Sequence, residues 1–174
     1  VNHEAFYGCT NLQHIDGNDG LLIFPEGFTT IKDNNAFYNC DRLTSVVLPK
    51  ATQVGLCAFS SCDDMVAVDL PKATSIGNQA FNLNFILKRV ILRENSVCTL
   101  SNVNAFGKCY YILGEVNENY NPNGLADGYI YVPAALADSY KSHSVWSNFS
   151  THFRALEDYT VDGTTTGALD ESKI

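Results

Sequence analysis

The sequence predicts an α/β solenoid: a stack of similar coils, each with one short parallel strand, closed at its C-terminal end by a helical cap. Three observations carry this. Ala-Phe pairs recur at Phe6, Phe37, Phe59, Phe81 and Phe106, separated by 31, 22, 22 and 25 residues. Other positions keep step with them: Cys9, Cys40, Cys62, Asn84 and Cys109 three residues later; Leu12, Leu43, Met65, Leu87 and Ile112 six later; Ile15, Val46, Val68 and Val90 nine later. Leu48, Leu70 and Leu92 follow at eleven, and Val1, Val54 and Ile76 stand five before. Finally, the pattern stops after Cys109, and the later chain carries apolar bulk at Val145, Trp146, Phe149 and Phe153.

A coil of about 22 residues cannot cover its own apolar side, but stacked neighbours can. The strands fall at Ser45–Leu48, Ala67–Leu70 and Arg89–Leu92. Within each, alternate side chains point to opposite faces, so Val46 and Leu48 turn inward and Val47 outward. The Phe and Leu columns turn inward as well. Each buried Phe or Leu contributes roughly 1.5–3 kcal/mol, which offsets much of the entropy lost in ordering a coil.

The copy Ala36-Phe37-Tyr38-Asn39-Cys40-Asp41-Arg42-Leu43-Thr44-Ser45-Val46-Val47-Leu48-Pro49, with Ala73-Thr74-Ser75-Ile76-Gly77 closing the next one, resembles the BspA-type (Treponema pallidum-type) leucine-rich repeat. The resemblance covers residues 1–117, and the segment from Gly128 to Tyr159 is similar to the end cap such arrays carry. It implies a right-handed leucine-rich-repeat superhelix. It also implies a cell-surface or secreted adhesion or interaction protein, bacterial in most members and from parasitic protists in some. It says nothing of the ligand. The expected organisation is repeats over 1–117 with a truncated first copy, a loop, last strand and helical cap over 118–159, and a flexible tail over 160–174.

Taken in order, Val1–Ile15 reads as an incomplete first copy that opens inside a repeat, as the edge of a larger or processed protein would. Asp16-Gly17-Asn18-Asp19-Gly20 then breaks the period. Two readings of this run stand. A calcium loop would need a bidentate Glu at its twelfth position, where the chain has Gly27 with Glu26 beside it; a turn needs only the Asn and Gly present. The turn is favoured. Leu21–Phe24 with Pro25 resumes the strand, and residues 30–107 hold the regular copies. The fourth departs from pattern at Asn84, carries the apolar run Phe85-Ile86-Leu87, and gathers Lys88, Arg89 and Arg93, read as solvated charges. Residues 117–127 are rich in Asn, Gly and Pro and read as a surface loop. Tyr129-Ile130-Tyr131-Val132-Pro133 reads as the last strand. Pro133 then starts a short helix over 134–141 with Leu136, Ala137 and Tyr140 on one face, and a further turn follows over 144–149. Trp146 is read as part of the cap, with a ligand platform as the alternative. Asn148-Phe149-Ser150 matches an N-glycosylation sequon, a short motif that also arises by chance.

Composition narrows the functional classes. A formal charge of −8 and a pI near 4.8 argue against nucleic acid or an anionic membrane as partner. No apolar run reaches the roughly 20 residues a bilayer span requires, and no signal peptide is present. The six cysteines (9, 40, 57, 62, 98 and 109) allow disulfides, but four share one column, where a small apolar residue suits a tight turn. No CxxC or Cys/His spacing suits zinc. His3, His14, His143 and His152 are scattered, without a nucleophile and acid placed by a motif. Asp63-Asp64 reads as a solvated turn pair rather than an acid/base dyad.

The resemblance, with no catalytic motif beside it, implies a non-enzymatic protein-binding or adhesion module without cofactor or metal. Its candidate face is the outward strand positions Ser45, Val47, Asp69, Arg89 and Ile91, with Ala67 beside them. The partner class that the resemblance alone implies is protein, with host or matrix proteins as candidates. End-to-end self-association through the uncovered first coil is a further expectation. The alternative is a structural spacer in a longer surface or phage-tail-like protein, with no ligand of its own.

Overall fold

Each regular coil is built from three stretches of backbone, and each stretch pairs with its counterpart in the next coil. The computed structural model describes residues 4–12, 21–25, 27–31 and 34–156, with the short strands at 160–161 and 164–165. The first stretch forms the long sheet: β1 (Leu21–Ile23), β3 (Ser45–Val47), β5 (Ala67–Leu70), β7 (Arg89–Leu92), β9 (Tyr129–Val132) and β10 (Phe153–Ala155), in that order and all parallel. Register follows the repeat, with Val46 beside Val68 and Val68 beside Val90.

The second stretch forms a sheet of two-residue strands, β2 (Thr30–Ile31), β4 (Gln53–Val54), β6 (Ser75–Ile76) and β8 (Thr99–Leu100). Each buries one side chain: Ile31, Val54, Ile76 and Leu100. The sequence shows this sheet only in part, as Val54 and Ile76 five before their Phe, because Ile31 and Leu100 stand six before theirs and two residues are too few for an alternation. Gly55 and Gly77 follow two of these strands, and a Cβ on Gly77 would lie 2.8 Å from the Gly55 carbonyl carbon.

The third stretch is the Ala-Phe turn. Phe6, Phe37, Phe59 and Phe81 each donate a backbone N–H at 2.8 Å to Ala36, Ala58, Ala80 and Ala105 of the following coil. Two residues on either side of Phe the backbone is left-handed. The positions before Phe are Glu4, Asn35, Cys57 and Gln79; those after it are Gly8, Asn39, Ser61, Leu83 and Lys108, with φ between 53° and 68° throughout. Side chains other than Gly, Asn and Asp are uncommon there, so the stacking ladder holds the turn in a conformation the local sequence does not favour.

Inside, the Phe rings lie one above another. Centroid spacings are 4.8, 5.0, 5.7 and 5.7 Å from Phe6 through Phe37, Phe59 and Phe81 to Phe106, with planes within 10° of parallel. The cysteine column has a more specific role than filling a turn. Cys40, Cys62 and Cys109 each donate the thiol to a Phe carbonyl of the preceding coil, Phe6, Phe37 and Phe81, at 3.1–3.3 Å. The same sulfurs accept backbone N–H bonds from Cys9, Cys40 and Asn84. Asn84 does both jobs with its amide: Nδ2 donates to the Phe59 carbonyl at 3.0 Å, and Oδ1 accepts from the Cys62 N–H at 2.8 Å. All six cysteines are free.

The fifth copy leaves the pattern where expected. A 3-10 turn spans Val103–Phe106, and α1 (Tyr110–Leu113) takes the turn positions that precede the strand in a regular coil, ending at Gly114 in the left-handed conformation where the strand would start. Residues 117–127 form the expected loop, organised by buried Asn121. Its Nδ2 donates to the carbonyls of Tyr110, Glu115 and Leu125, and its Oδ1 accepts from the Leu125 N–H. The chain then re-enters the long sheet at β9, where Ile130 and Val132 continue the core rows.

The cap differs from expectation in one respect. After a 3-10 turn at Ala134–Leu136, α2 (Ala137–Ser142) and a 3-10 turn at Trp146–Phe149, residues 153–155 form β10, so β9 is not the last strand. Phe153 takes its place in the core row beside Ile130. Three residues are too short to announce a strand in sequence. Trp146 is fully buried and settles as cap: its ring lies 6.0 Å from Phe106, and its Nε1 donates to the Cys98 carbonyl at 2.6 Å. The Tyr140 hydroxyl accepts from the Cys98 N–H at 2.9 Å. In the segment read as a tail, β11 (Thr160–Val161) pairs antiparallel with β12 (Thr164–Thr165). The Asp16–Gly20 run, Glu26, His3 and His14 lie outside the described residues.

Candidate functional site

The outer face of the long sheet is set by strand alternation. Val46, Val68, Val90, Ile130 and Phe153 point into the core. Their neighbours in sequence therefore point away from it. Register places Ile23, Val47, Asp69, Ile91, Tyr131 and Arg154 in one outward row. Ser45, Ala67, Arg89 and Tyr129 form the adjacent row. The five expected site residues thus lie together on one surface.

Their exposure is a correction. Val47 and Asp69 are 5% exposed, Ser45 1% and Ile91 0%; of the five, only Arg89 is half-buried rather than buried. Part of the cause is on the face itself. Leu156, just past β10, packs with Tyr131 over Ile91. Arg93 lies across Asp69 in a bidentate pair, with Nε 3.0 Å from Oδ1 and Nη2 2.8 Å from Oδ2. A carboxylate so enclosed needs such a partner, because an isolated buried charge is costly.

The basic cluster is likewise less solvated than its composition suggests. Lys88 pairs with Asp127 at 3.0 Å and sits 4.0 Å over the Tyr111 ring. Arg93 is taken by Asp69. Sequence reasoning missed Tyr129, Tyr131 and Arg154 as continuations of the face. The alternation Tyr129-Ile130-Tyr131-Val132 held the signal for the tyrosines, since the apolar partners claim the core. Arg154 depended on β10, which was not foreseen. Arg154 stacks its guanidinium 4.1 Å over Tyr129.

Other polar groups serve the fold. His143 Nδ1 accepts from the Val145 N–H at 3.3 Å, and His152 Nδ1 lies 2.8 Å from the Gly128 carbonyl. Burial raises the Asp63 carboxyl above its ordinary range, as do the charges of Asp41 and Asp64. Burial, and then Asp64, raises Asp41 in the same way. These are stacked turn carboxylates, and among the described residues no group of three or more His, Cys, Asp or Glu could hold a metal ion.

Fold and face together define a repeat solenoid whose surface is a sheet rather than a cleft. A family model described as BspA type leucine-rich repeat region matches residues 1–112 in six copies. The chain belongs to this family. A search of curated proteins gave no match. Leucine-rich-repeat domains typically mediate protein–protein interaction, and the family is generally non-enzymatic. BspA-type members are commonly surface or secreted proteins. Among the described residues no helix is long and apolar enough to cross a membrane.

Proposed function

We propose that this chain is a non-enzymatic protein-binding module of adhesion type, part of a cell-surface or secreted protein, and that it meets its partner with the outer face of the long sheet. One observation supports the reading above others: Val47, Asp69, Ile91, Tyr131 and Arg154 form a single row in register on a parallel sheet. Tyr and Arg are the side chains that dominate interface energies, and a preformed sheet spares the ordering cost of a flexible loop. Ser45 and Arg89 flank the row. Host or matrix proteins are the partner class.

The test is binding to immobilised matrix proteins, with serum albumin as control. Arg154→Glu and Arg89→Glu should each weaken binding about tenfold, as interface hot spots do, with unchanged thermal melting. Equal binding by all variants would remove this face from consideration. Asp69 is a poor probe, because reversing its charge opposes Arg93 inside a covered site.

The burial of Val47, Asp69 and Ile91 favours a second reading, a spacer with no ligand of its own. In that role the first coil is the contact surface: Ala5 and Cys9 are exposed and Tyr7 is 52% exposed, whereas Ala36 and Cys40 are buried. Copies of the chain would then associate end to end. Light scattering should show mass rising with concentration, and Tyr7→Lys should abolish the rise. A concentration-independent monomer would eliminate this contact.

A further inference from the structure

One cavity is built from the Ala-Phe turns rather than the long sheet, at the point where the array breaks. It holds about 420 Å³, inside the roughly 300–1,000 Å³ of small-molecule sites. The position after Phe shows why it opens. That column reads Tyr7, Tyr38, Ser60, Asn82 and Gly107, so its side chains dwindle along the stack to none. Gly107 stands at φ −57° and ψ 134°, extended backbone that any residue adopts, so the conformation does not require a glycine there. What the glycine leaves is room: a Cβ on it would lie 2.6 Å from Asn82 Oδ1. Gln79 of the same coil as Asn82, and Asn104 and Lys108 of the next, line the gap with them. Because α1 takes the place of the usual turn, Leu113 and Glu115 come to line it too, and Val103 adds a second apolar wall.

These polar groups are not spent on the fold. Asn84 and Asn121 commit their amides to backbone partners. The Asn82 and Asn104 side chains bond to no described residue, and Gln79 uses only Oε1, which accepts the Cys57 thiol at 3.7 Å. Lys108 and Glu115 pair with no opposite charge among the described residues. The lining therefore offers three carboxamides, each donor and acceptor at once, with one ammonium, one carboxylate and no net charge. We propose that this cavity binds a neutral sugar, one hexose-sized unit of a glycan. Sugar hydroxyls both donate and accept, as carboxamides do. Glu115 accepts from adjacent hydroxyls, Lys108 donates to a sugar oxygen, and Val103 and Leu113 take the C–H face of the ring. A free amino acid would answer the two charges and leave the carboxamides to water. A sulfate or phosphate would meet a carboxylate beside the one cation, in a protein of formal charge −8. The site does not rest on the sheet face proposed above.

The test is an array of immobilised oligosaccharides ending in glucose, galactose, mannose or N-acetylglucosamine, with sialylated and sulfated ones beside them. The whole chain should be retained by at least one neutral ending and less by the anionic ones. The methyl glycoside of the best-retained ending is then titrated in solution and followed by NMR chemical shifts. Glu115→Gln and Lys108→Gly should each raise its dissociation constant at least tenfold, as loss of a hydrogen bond to a charged group does. Lys108→Gly also controls for folding. It relieves a left-handed lysine and should melt no lower than wild type, so weaker binding there is not misfolding. Gly107→Asn restores the column and fills the cavity, and should abolish binding with native circular dichroism. Retention by no neutral ending would overturn the proposal. So would binding that all three variants leave unchanged, a preference for anionic glycans, or displacement of the sugar by free glycine at equal concentration. No protein partner is present in this assay, so its failure would leave the sheet-face reading standing, and a failure of that reading would leave its result unchanged.

Discussion

Asn84 takes the place that cysteine holds in neighbouring coils and makes the same two bonds, to the Phe59 carbonyl and from the Cys62 N–H. Sequence comparison of the copies registers it as a departure; hydrogen bonding makes it an equivalent. Asn84→Cys should therefore change stability by less than about 1 kcal/mol. Asn84→Ala leaves a buried donor and a buried acceptor without partners and should cost about 2–4 kcal/mol, read from urea unfolding. The left-handed positions show the reverse case. Asn35, Asn39 and Gly8 suit that conformation, but Leu83 and Lys108 do not, at φ of 63° and 61°. Lys108→Gly should stabilise the protein by about 0.5–1 kcal/mol, seen as a higher melting temperature; a loss of stability would show that the turn is not strained. These positions were not legible in sequence, because no residue preference marks the column. The ladder between coils imposes the conformation from outside.

At the scale of elements, strands β3, β5 and β7 were legible to within a residue, since each places a core-facing apolar residue at alternate positions in a fixed frame. β10 and α1 were not, being three and four residues long with no periodicity to detect. The cap was legible as apolar bulk, but its task was not. β8 ends the short sheet, and just before it the backbone of Cys98 is buried with both polar groups facing the cap. Tyr140 accepts its N–H and Trp146 donates to its carbonyl. The cap thus closes the stack through two side-chain atoms as well as by bulk. Tyr140→Phe keeps the bulk and removes the acceptor, and should cost about 1–3 kcal/mol. Trp146→Ala also opens a cavity against Phe106 and should cost about 3–5 kcal/mol. Equal stability of Tyr140→Phe and wild type would reduce the cap to packing alone.

For the whole molecule, the fold was legible because the same 22-residue arithmetic recurs. The candidate face was legible in direction but not in exposure, because strand alternation states which way a side chain points and not what lies over it. Burial pushes the thiols of Cys40 and Cys98 up to about 12 from an ordinary 9.0, and raises those of Cys62 and Cys109 further. The sign follows from linkage. The folded state keeps these protons while the unfolded chain gives them up, so stability is flat below about pH 9 and falls as pH rises from there toward 12. Each such thiol contributes a slope of about 1.4 kcal/mol per pH unit. Alkaline unfolding should begin near pH 9 and be steep; Cys62→Ser should reduce the slope, and an unchanged slope would refute the assignment.

In the Ala-Phe turns the Phe N–H points forward each time, from Phe6, Phe37, Phe59 and Phe81 to the Ala carbonyl of the coil that follows. A coil therefore meets its neighbours through two surfaces that are the same for all members of the array. Duplicating or excising a unit such as residues 59–80 leaves both ends of the object chemically unaltered and shifts the cap by about 4.8 Å along the stack. Length is then a quantity that copy number sets in steps, and a lineage can lengthen or shorten such a rod without redesigning any contact within it.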